Sequence, residues 1–588
     1  MKIFKQYLWI LGNIWKIGKK EYFVYCIISF MGFSLPTVVS YCQKAFINGL
    51  QEKVLFQICF FWLIAYMVIK FVKSIFQFID SYFAHKLIYK IDFLYRSYVS
   101  RILYYTSQDR FYDPIFNDEL ERVDTCLKIL PYHVLAMNEI GVVIATLIFV
   151  SIPNIVLYSP LLLLPIIADA VFAIIQFRRV GKEGVQLEQK MTREQRSADY
   201  FGNLFTDRST AKEIRIFNAC CFFEKNWSDL FVKLIHTKTE YAIQKQKRQL
   251  FSNLWGFFIY CMIFLLLAFQ LINKDISWGT FTFLYSLVPA VSEQCRTLIS
   301  DLLSDNLKNY YMIKNLEKFI SNSRTATENG HSKEALKIKQ IELKNVSYRY
   351  PTGDKNAVNQ ISLTVNKGEV ISILGYNGSG KTTLSKLITG ILKPTNGEVW
   401  LNGKKVEESD MTEYSKIFGI IYQDFTRYYL TVKDNIGFGY IEKYGEENIQ
   451  KAFEKAECEE INNKLPKGLE TTLGKAFYAE GIDLSGGEWQ KLAIARCYMG
   501  DHQVFIMDEP TASIDPFKET EMLNQIRKMS KDHTVILISH RIGFARIADR
   551  IFLMNNGRLV ESGTHDELIN KKGMYFQLFR AQKDLYFN

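Results

Sequence analysis

The sequence lacks the cysteine spacing of a disulfide framework or a zinc site. Its 10 cysteines lie far apart, except for the adjacent Cys220 and Cys221, and no two of them form a Cys-x-x-Cys pair. Free thiols in a reducing or membrane setting fit this spacing better. Disorder and low complexity are excluded, because 48% of the 588 residues are hydrophobic and 23% are charged. The net charge of +11 does not by itself indicate nucleic-acid binding, since the cytoplasmic flanks of membrane spans carry the same excess.

Charge is missing from long stretches of the first half of the chain. A helix needs about 20 mostly apolar residues to cross the hydrocarbon core of a bilayer. Six apolar segments precede residue 295, at 22–41, 54–69 (with an apolar pattern that continues to 79), 140–152, 155–177, 251–272 and 276–291. They predict six transmembrane helices, with a tight hairpin turn at 151–154 between the third and the fourth. Buried core helices of a soluble protein are the alternative.

Basic residues are also missing from the two short turns of this half. The turn between the third and fourth segments has no Lys or Arg and the turn between the fifth and sixth has only Lys274, whereas the N-terminal segment and both long loops are basic. The positive-inside rule therefore predicts a multi-pass cell-membrane protein with both termini cytoplasmic. A cleaved signal peptide is disfavoured, because the first apolar segment is span-length and others follow it. We also expect no protease-like domain before that segment.

The two long loops, 70–130 and 178–248, contain almost no Gly or Pro. This composition predicts helices that continue past the membrane surface. Their tips, at 110–114 and 210–217, are interpreted either as amphipathic helices on their own bundle or as contacts to a domain below.

The polar half of the chain begins after a lapse in apolar patterning. We expect a membrane domain at 1–320, a linker at 321–336 and a second domain at 337–588, in which strand-like runs alternate with helical stretches as in a parallel sheet. A G-x-x-x-x-G-K-[ST] phosphate loop follows one of these strands, and the residues assigned to phosphate binding are Gly375, Asn377, Gly378, Ser379, Gly380, Lys381, Thr382 and Thr383. Glycines let backbone N–H groups point at phosphates, Lys381 reaches the terminal phosphates, and the Thr382 hydroxyl ligates Mg²⁺.

Two further motifs accompany the phosphate loop. The apolar strand at 504–508 ends in Asp508, placed to hold Mg²⁺, and is followed by Glu509, placed to polarise an attacking water. The segment Ser485, Gly486, Gly487 and Glu488 precedes a helix, so it provides a second helix N-terminus that can receive an anion. If this segment faced the phosphate loop within one chain, dimerisation would not be required.

Together these motifs resemble the nucleotide-binding domain of an ATP-binding cassette (ABC) transporter, and the whole chain is similar to a bacterial half-exporter. The resemblance implies a multidomain protein, with an all-α polytopic membrane domain and an α/β P-loop domain that hydrolyses ATP with Mg²⁺. It also implies a dimer, homomeric or heteromeric, in which 485–488 of one subunit completes the ATP site of the other. By resemblance, Tyr350 stacks on adenine, Gln423 approaches Mg²⁺, Asp515 acts across the dimer and His540 bonds the γ-phosphate. The loop tips near 110–114 and 208–212 resemble coupling helices.

Two departures from the family pattern and one intramembrane acid stand out. Glu488 replaces the usual Gln, and residues 475–481 do not match the usual exporter segment, although Lys381, Asp508, Glu509 and His540 mark a hydrolysing chain. Asp169 lies inside the fourth apolar segment, where it is either functional or paired with a neighbouring helix. Short motifs such as 212–217 resemble exporters of lanthipeptide-like and bacteriocin-like peptides. Export of lipids or hydrophobic drugs and an ATP-dependent sensory or immunity module remain the alternatives.

Overall fold

The computed structural model describes residues 2–53, 55–323, 337–406, 414–509, 523–524 and 526–587. The chain divides into two compact units, one formed by Met1–Tyr104 with Glu119–Arg324 and the other by Tyr105–Asp118 with Thr325–Asn588. We call them the helical unit and the sheet unit.

Long α-helices make up the helical unit. The described helices are α1 (Lys2–Gln51), α2 (Phe56–Tyr105), α3 (Pro114–Thr146), α4 (Ile152–Tyr158), α5 (Leu163–Thr206), α6 (Arg208–Ile216), α7 (Cys220–Ile272), α8 (Trp278–Ser300) and α9 (Asn306–Ser323). π-helical turns lie at Leu147–Ser151 and Asp301–Asp305, and a 3₁₀ turn lies at Pro160–Leu162. Helices of 44 to 53 residues, such as α5 and α7, are longer than the ~20 residues that a bilayer core requires, so the predicted extensions past the membrane are helical.

Among the described residues, five helical stretches are long and apolar enough to cross a membrane: Lys20–Gln51, Phe56–Tyr105, Pro114–Tyr158, Pro160–Gly181 and Cys220–Ile272. The sixth predicted span falls in α8, which has 23 residues but is not among these five. In the most apolar 18-residue segment of α2, only 6% is buried within the chain, and in the most apolar 18-residue segment of Pro114–Tyr158 the buried share is 33%. Core helices of a soluble protein would bury most of these apolar residues. Their exposure in this chain is expected for helices that contact lipid or a partner helix.

The turn between the third and fourth spans lies further along the chain than predicted. We expected it at 151–154, but the helical path continues through α4 to Tyr158. Pro153 is tolerated because it sits in the first turn of α4, and the Asn154 side chain donates a hydrogen bond to the Val150 carbonyl at 2.7 Å. The break comes at Ser159 (φ −163°, ψ 88°), because the ring of Pro160 disfavours helical geometry in the preceding residue.

The tips of both long loops carry short helices. The first tip is a 3₁₀ turn at Gln108–Tyr112, and the second is α6, whose Asp207 side chain accepts from the Thr210 N–H at 3.1 Å. Such a cap satisfies one of the free donors at a helix start.

The described strands of the sheet unit form two sheets. The strands are β1 (Gln340–Tyr348), β2 (Val358–Asn366), β3 (Val370–Gly375), β4 (Asn396–Leu401), β5 (Lys404–Lys405), β6 (Phe418–Ile421), β7 (Val504–Asp508), β8 (Thr534–Ser539), β9 (Arg550–Asn555) and β10 (Arg558–Gly563). The described helices are α10 (Lys381–Ile388), α11 (Val432–Gly437), α12 (Glu446–Lys455), α13 (Glu459–Asn462), α14 (Gly486–Tyr498), α15 (Ile542–Ala545), α16 (His565–Asn570) and α17 (Met574–Phe587), with 3₁₀ turns at Phe438–Lys443 and Gly468–Glu470.

The larger sheet has the order β10-β9-β3-β8-β7-β6, and every pair in it is parallel except β10 with β9. Its central strands are buried along their whole length, as parallel strands covered on both faces should be. The smaller sheet, β2-β1-β4-β5, is antiparallel. The predicted alternation of strands and helices is therefore confirmed for this unit.

Candidate functional site

Three neighbouring parallel strands bring the predicted site residues to one edge of the larger sheet. Leu374 of β3 pairs with Ser539 of β8, and Asp508 of β7 pairs with Ile538 of β8. The phosphate loop, Glu509 and His540 directly follow these strands. Carboxyl ends of parallel strands form the usual ligand edge of an open α/β sheet, so residues distant in sequence converge here.

The backbone of the phosphate loop needs its glycines. Gly378 and Gly380 have φ of +79° and +99°, which side chains disfavour. A Cβ atom on Gly380 would also lie 2.3 Å from the Ala357 carbonyl oxygen. Ser379 is buried, and its hydroxyl has no hydrogen-bond partner among the described residues. The loop therefore offers polar groups in a tight turn, as phosphate binding requires.

Lys381 lies at the start of α10 with its ammonium group turned back into the loop. Its Nζ donates to the carbonyls of Gly375 and Tyr376 at 3.0 Å each and lies 3.9 Å from Glu509 Oε1. Only 5% of the side chain is exposed, and this burial lowers the pKa of Lys381 while the carboxylates of Glu509 and Asp508 oppose the shift. A buried cation facing the loop suits a phosphate ligand.

Glu509 is fixed by its backbone. It has φ of 47°, an uncommon left-handed value for a non-glycine residue, and its N–H donates to the Ile538 carbonyl at 2.8 Å. The carboxylate, 12% exposed, lies 3.3 Å from His540 Nδ1. Backbone strain of this kind concentrates at functional sites. The structure thus joins Lys381, Glu509 and His540 in one cluster.

Asp508 supplies a buried carboxylate beside this cluster. It is 1% exposed, and neither carboxylate oxygen has a hydrogen-bond partner of good geometry among the described residues. Burial raises the pKa of Asp508, and the nearby Thr382 side chain and Lys381 charge oppose the rise. Buried carboxylate oxygens without a partner, next to a hydroxyl, fit the oxygen ligands that Mg²⁺ prefers. Asp508 and Thr382 are therefore the residues that could hold this ion.

For two other predicted site residues, Gln423 and Asp515, the structure gives less information. Gln423 is exposed just beyond β6, the strand that pairs with β7, so it lies at the same sheet edge. Asp515 falls in 510–522, outside the described residues.

Tyr350 lies among aromatic rings next to the phosphate loop. Its hydroxyl is 3.1 Å from Thr383 Oγ1, and its ring meets those of Tyr348 and Tyr112 edge-on, each at 5.0 Å between centroids. Tyr112 belongs to the first loop tip, which packs in the sheet unit. Of the two interpretations of this tip, contact with the second domain is the one that these distances support, and the stacking of Tyr350 on adenine stays a prediction.

Sequence reasoning missed the polar bonds that hold this tip. The Tyr348 hydroxyl donates to Asp109 Oδ1 at 2.9 Å, and Lys386 Nζ donates to the Tyr112 hydroxyl at 3.0 Å. The aromatic and charged residues of the tip indicated that it makes a contact, but they did not indicate which residues it contacts.

The segment 485–488 caps α14. Ser485 Oγ accepts from the Glu488 N–H at 3.4 Å, and the Ser485 N–H donates to Glu488 Oε2 at 2.8 Å, which is a capping box. Lys464 Nζ lies 2.6 Å from Glu488 Oε1. Burial alone would raise the pKa of Glu488, but its bonds to Lys464 and Ser485 outweigh this and lower it. No described hydrogen bond or ion pair joins this segment to the phosphate loop.

Asp169 pairs with a neighbouring helix, which was one of its two predicted roles. Asp169 of α5 is 1% exposed, and its Oδ2 accepts from Ser292 Oγ at 2.5 Å and from Arg296 at 3.0 Å, both on α8. Arg296 also donates to the Ser252 carbonyl of α7 at 3.3 Å. A cavity of about 310 Å³ between α7 and α8 is bordered by Ser292 and Arg296. This cluster connects three helices of the helical unit.

Comparisons with known proteins agree with both halves. The family profile described as ABC transporter matches residues 358–512. The subtilin transport ATP-binding protein SpaT of Bacillus subtilis is 28% identical over 558 residues, which cover 93% of this chain and 89% of SpaT. The nisin transport ATP-binding protein NisT of Lactococcus lactis subsp. lactis is 29% identical over 75% of this chain and 73% of NisT. The ATP-dependent lipid A-core flippase of Photobacterium profundum is 33% identical over 43% of each chain.

A solved structure shares the fold. The structure of a bacterial Atm1-family ABC exporter with ATP bound matches with a TM-score of 0.76 and 18% identity, over 96% of this chain and 99% of that chain. The predicted fold class, a helical membrane domain with an α/β P-loop domain, is confirmed.

Proposed function

We propose, from the premise that this chain is an ABC half-exporter with a helical membrane domain fused to an ATP-binding domain, that it exports a peptide when ATP is hydrolysed. The observation that carries the peptide class is the 28% identity to a subtilin transporter across 93% of the chain. A similarity of this extent includes the membrane domain, where cargo is handled.

The proposed domain limits are 1–320 for the membrane domain, 321–336 for the linker and 337–588 for the ATP-binding domain. The ATP-binding domain and both chain termini are proposed to lie on the cytoplasmic side of the cell membrane. Lys and Arg in the N-terminal segment and long loops support this orientation.

ATP binding is proposed to use the geometry of the β3–α10 loop. Backbone N–H groups of 375–383 point at the phosphates, Lys381 exchanges its carbonyl partners for phosphate oxygens, and Tyr350 stacks on adenine. Asp508, Thr382 and Gln423 hold Mg²⁺, whose charge offsets that of the phosphates.

Hydrolysis is proposed to use the pair at the ends of β7 and β8. The Glu509 carboxylate polarises the attacking water, and His540, 3.3 Å from it, contacts the γ-phosphate. The fixed backbone of Glu509 holds the base in place before ATP arrives, so little reorganisation is needed in the transition state.

Export is proposed to require a dimer of half-exporters. Ser485, Gly486, Gly487 and Glu488 of one copy complete the site of the other at the N-terminus of α14, so ATP binding draws two ATP-binding domains together. Closure favours an outward-open membrane domain and hydrolysis releases it, which is a population shift between two states. A homodimer is the simplest form, and a heterodimer is the other outcome.

The test is transport into inside-out vesicles. Vesicles with wild-type protein should accumulate fluorescently labelled subtilin or nisin when ATP is added, and Glu509→Gln vesicles should bind ATP without accumulating either. The matched control is Glu447→Gln, because Glu447 is an exposed acid of the same unit, paired with Lys451 at 2.5 Å and outside every segment assigned to the site.

A lipid flippase is the second candidate, supported by the 33% identity to a lipid A-core flippase over 43% of the chain. ATP-dependent movement of labelled lipid in these vesicles, with no peptide accumulation, would establish it and overturn peptide export. Full ATP turnover by Glu509→Gln would instead remove Glu509 from its proposed role.

A further inference from the structure

The backbone on either side of Arg541 is held by one side chain from the end of the chain. Gln582 of α17 donates from Nε2 to the His540 carbonyl at 2.6 Å, and its Oε1 accepts from the Ile542 N–H at 2.9 Å. A single amide thus bridges two backbone groups that are 42 and 40 residues away in sequence.

Both bonds fall where the local fold leaves the chain weakly held. Ile542 is the first residue of α15, a helix of four residues, and the first N–H groups of a helix have no partner within it. The His540 side chain is 43% exposed, so packing does little to fix it. The position of its ring beside Glu509 therefore depends on the backbone that carries it.

The helix that carries Gln582, α17, is anchored in the core of the sheet unit. Tyr575, at the start of α17, is fully buried, and its hydroxyl lies 2.7 Å from His565 Nδ1. It packs in one cluster with Leu374, the residue before the phosphate loop, and with Ala545 of α15. The same helix thus reaches the base of the phosphate loop and the backbone of His540. A cavity of about 440 Å³ lies between them, bordered by Gly375, Asn377, His540 and Gln582.

We propose that Gln582 is a positioning residue for ATP hydrolysis, which holds the backbone of His540 so that the imidazole meets the γ-phosphate beside Glu509. This inference rests on the proposed function, in which His540 makes that contact. Gln582 acts through His540, because its two hydrogen bonds remove backbone freedom that would otherwise be lost in the transition state.

The experiment compares variants of the full chain in lipid nanodiscs. Gln582→Leu and Gln582→Met keep the size of the side chain but cannot form either hydrogen bond. Gln577→Ala is the control, because Gln577 is exposed on the same helix. We expect kcat for ATP hydrolysis to fall about 10-fold or more in both Gln582 variants, since misplacement of a group by about 1 Å can cost up to 10²-fold. The ATP dissociation constant should stay within about twofold, because the phosphate loop is unchanged.

A double mutant separates positioning from general damage. In a His540→Ala background, Gln582→Leu should lower kcat no further, because the group that it positions is gone. The proposal would be overturned if Gln582→Leu lowered kcat by the same factor in the His540→Ala background as in the wild type. Wild-type kcat in both Gln582 variants would overturn it too. A loss of kcat that follows a lower melting temperature in Gln582→Leu, with full activity in a stable Gln582→Met, would overturn it as well. Wild-type kcat in His540→Ala alone would contradict the role of His540 in the proposed function, and with it this inference.

Discussion

Removal of Arg296 should destabilise the helical unit strongly, because it leaves the Asp169 carboxylate buried without its cation. The Asp169 side chain is 2% exposed and that of Arg296 is 13% exposed, with 3.0 Å between the charged atoms. Breaking a buried ion pair from one side costs about 3–5 kcal/mol, because the remaining charge is uncompensated. At about 1.36 kcal/mol per tenfold change, this shifts the unfolding equilibrium by roughly 10²–10⁴-fold.

Arg296→Met is the informative variant, because it keeps much of the length of the side chain and removes its charge. The double variant with Asp169→Asn should recover most of the loss, since no ion then remains buried. The matched control is Arg248→Met, which breaks an ion pair with Glu183 at 2.7 Å whose side chains are 27% and 39% exposed. That more exposed pair should contribute about 1 kcal/mol or less.

The measurement is the free energy of unfolding in mixed micelles, taken from titration with a denaturing detergent. The reasoning fails if Arg296→Met and the double variant lose the same stability, because the cost would then come from lost packing and not from a stranded charge. It also fails if Arg296→Met and Arg248→Met are equally mild.

Three other variants test the ATP-binding unit. Lys381→Ala should raise the ATP dissociation constant about 10-fold or more, because a charged hydrogen bond contributes about 1.5–3 kcal/mol, and unchanged binding of a fluorescent ATP analogue would contradict the assigned phosphate loop. Asp508→Asn should abolish hydrolysis yet raise the melting temperature of nucleotide-free protein in EDTA, because burial already opposes the charged form of Asp508; a lower melting temperature would refute this. Lys464→Ala should lower kcat/KM for ATP by about 2–5-fold, the value of an exposed ion pair, since it leaves the Glu488 charge unbalanced at a helix N-terminus. Adding Glu488→Gln should restore the rate, and a double variant no better than Lys464→Ala would exclude this electrostatic reason.

Local patterns in the sequence predicted what is locally encoded. Residues 22–41 carry no charge, so a long apolar helix follows from composition alone. The phosphate loop is equally local, because Gly378 and Gly380 adopt backbone angles that few other residues accept. The alternation of strands and helices predicted a parallel sheet, and the motif at 504–509 placed Glu509 at the end of one of its strands, whereas the order of the strands came only from the structure.

Long-range contacts were not predictable in this way. Nothing local to Asp169 indicates Arg296, which is 127 residues away, and nothing local to His540 indicates Gln582. The missed turn at Ser159 has a different cause: the more obvious breaker, Pro153, is absorbed in the first turn of a helix, whereas Pro160 stops the helix before it. A proline predicts a boundary only when its position within the helix is known.

The edge of the large sheet carries features that all oppose folding stability. Asp508 is a buried carboxylate without a hydrogen-bond partner of good geometry among the described residues, Lys381 is a buried cation whose pKa burial lowers, and Glu509 has a left-handed backbone. Strain of this kind costs about 1–3 kcal/mol at a single residue. Folding stability alone would favour an amide in place of Asp508, an apolar side chain in place of Lys381 and a glycine in place of Glu509. Asp508 ends β7 and Glu509 follows it, while Lys381 begins α10 after the phosphate loop, so that an ion, a phosphate and a water could use them. Their coincidence at one edge is therefore explained by chemistry, because sites under functional demand are where folding rules are broken.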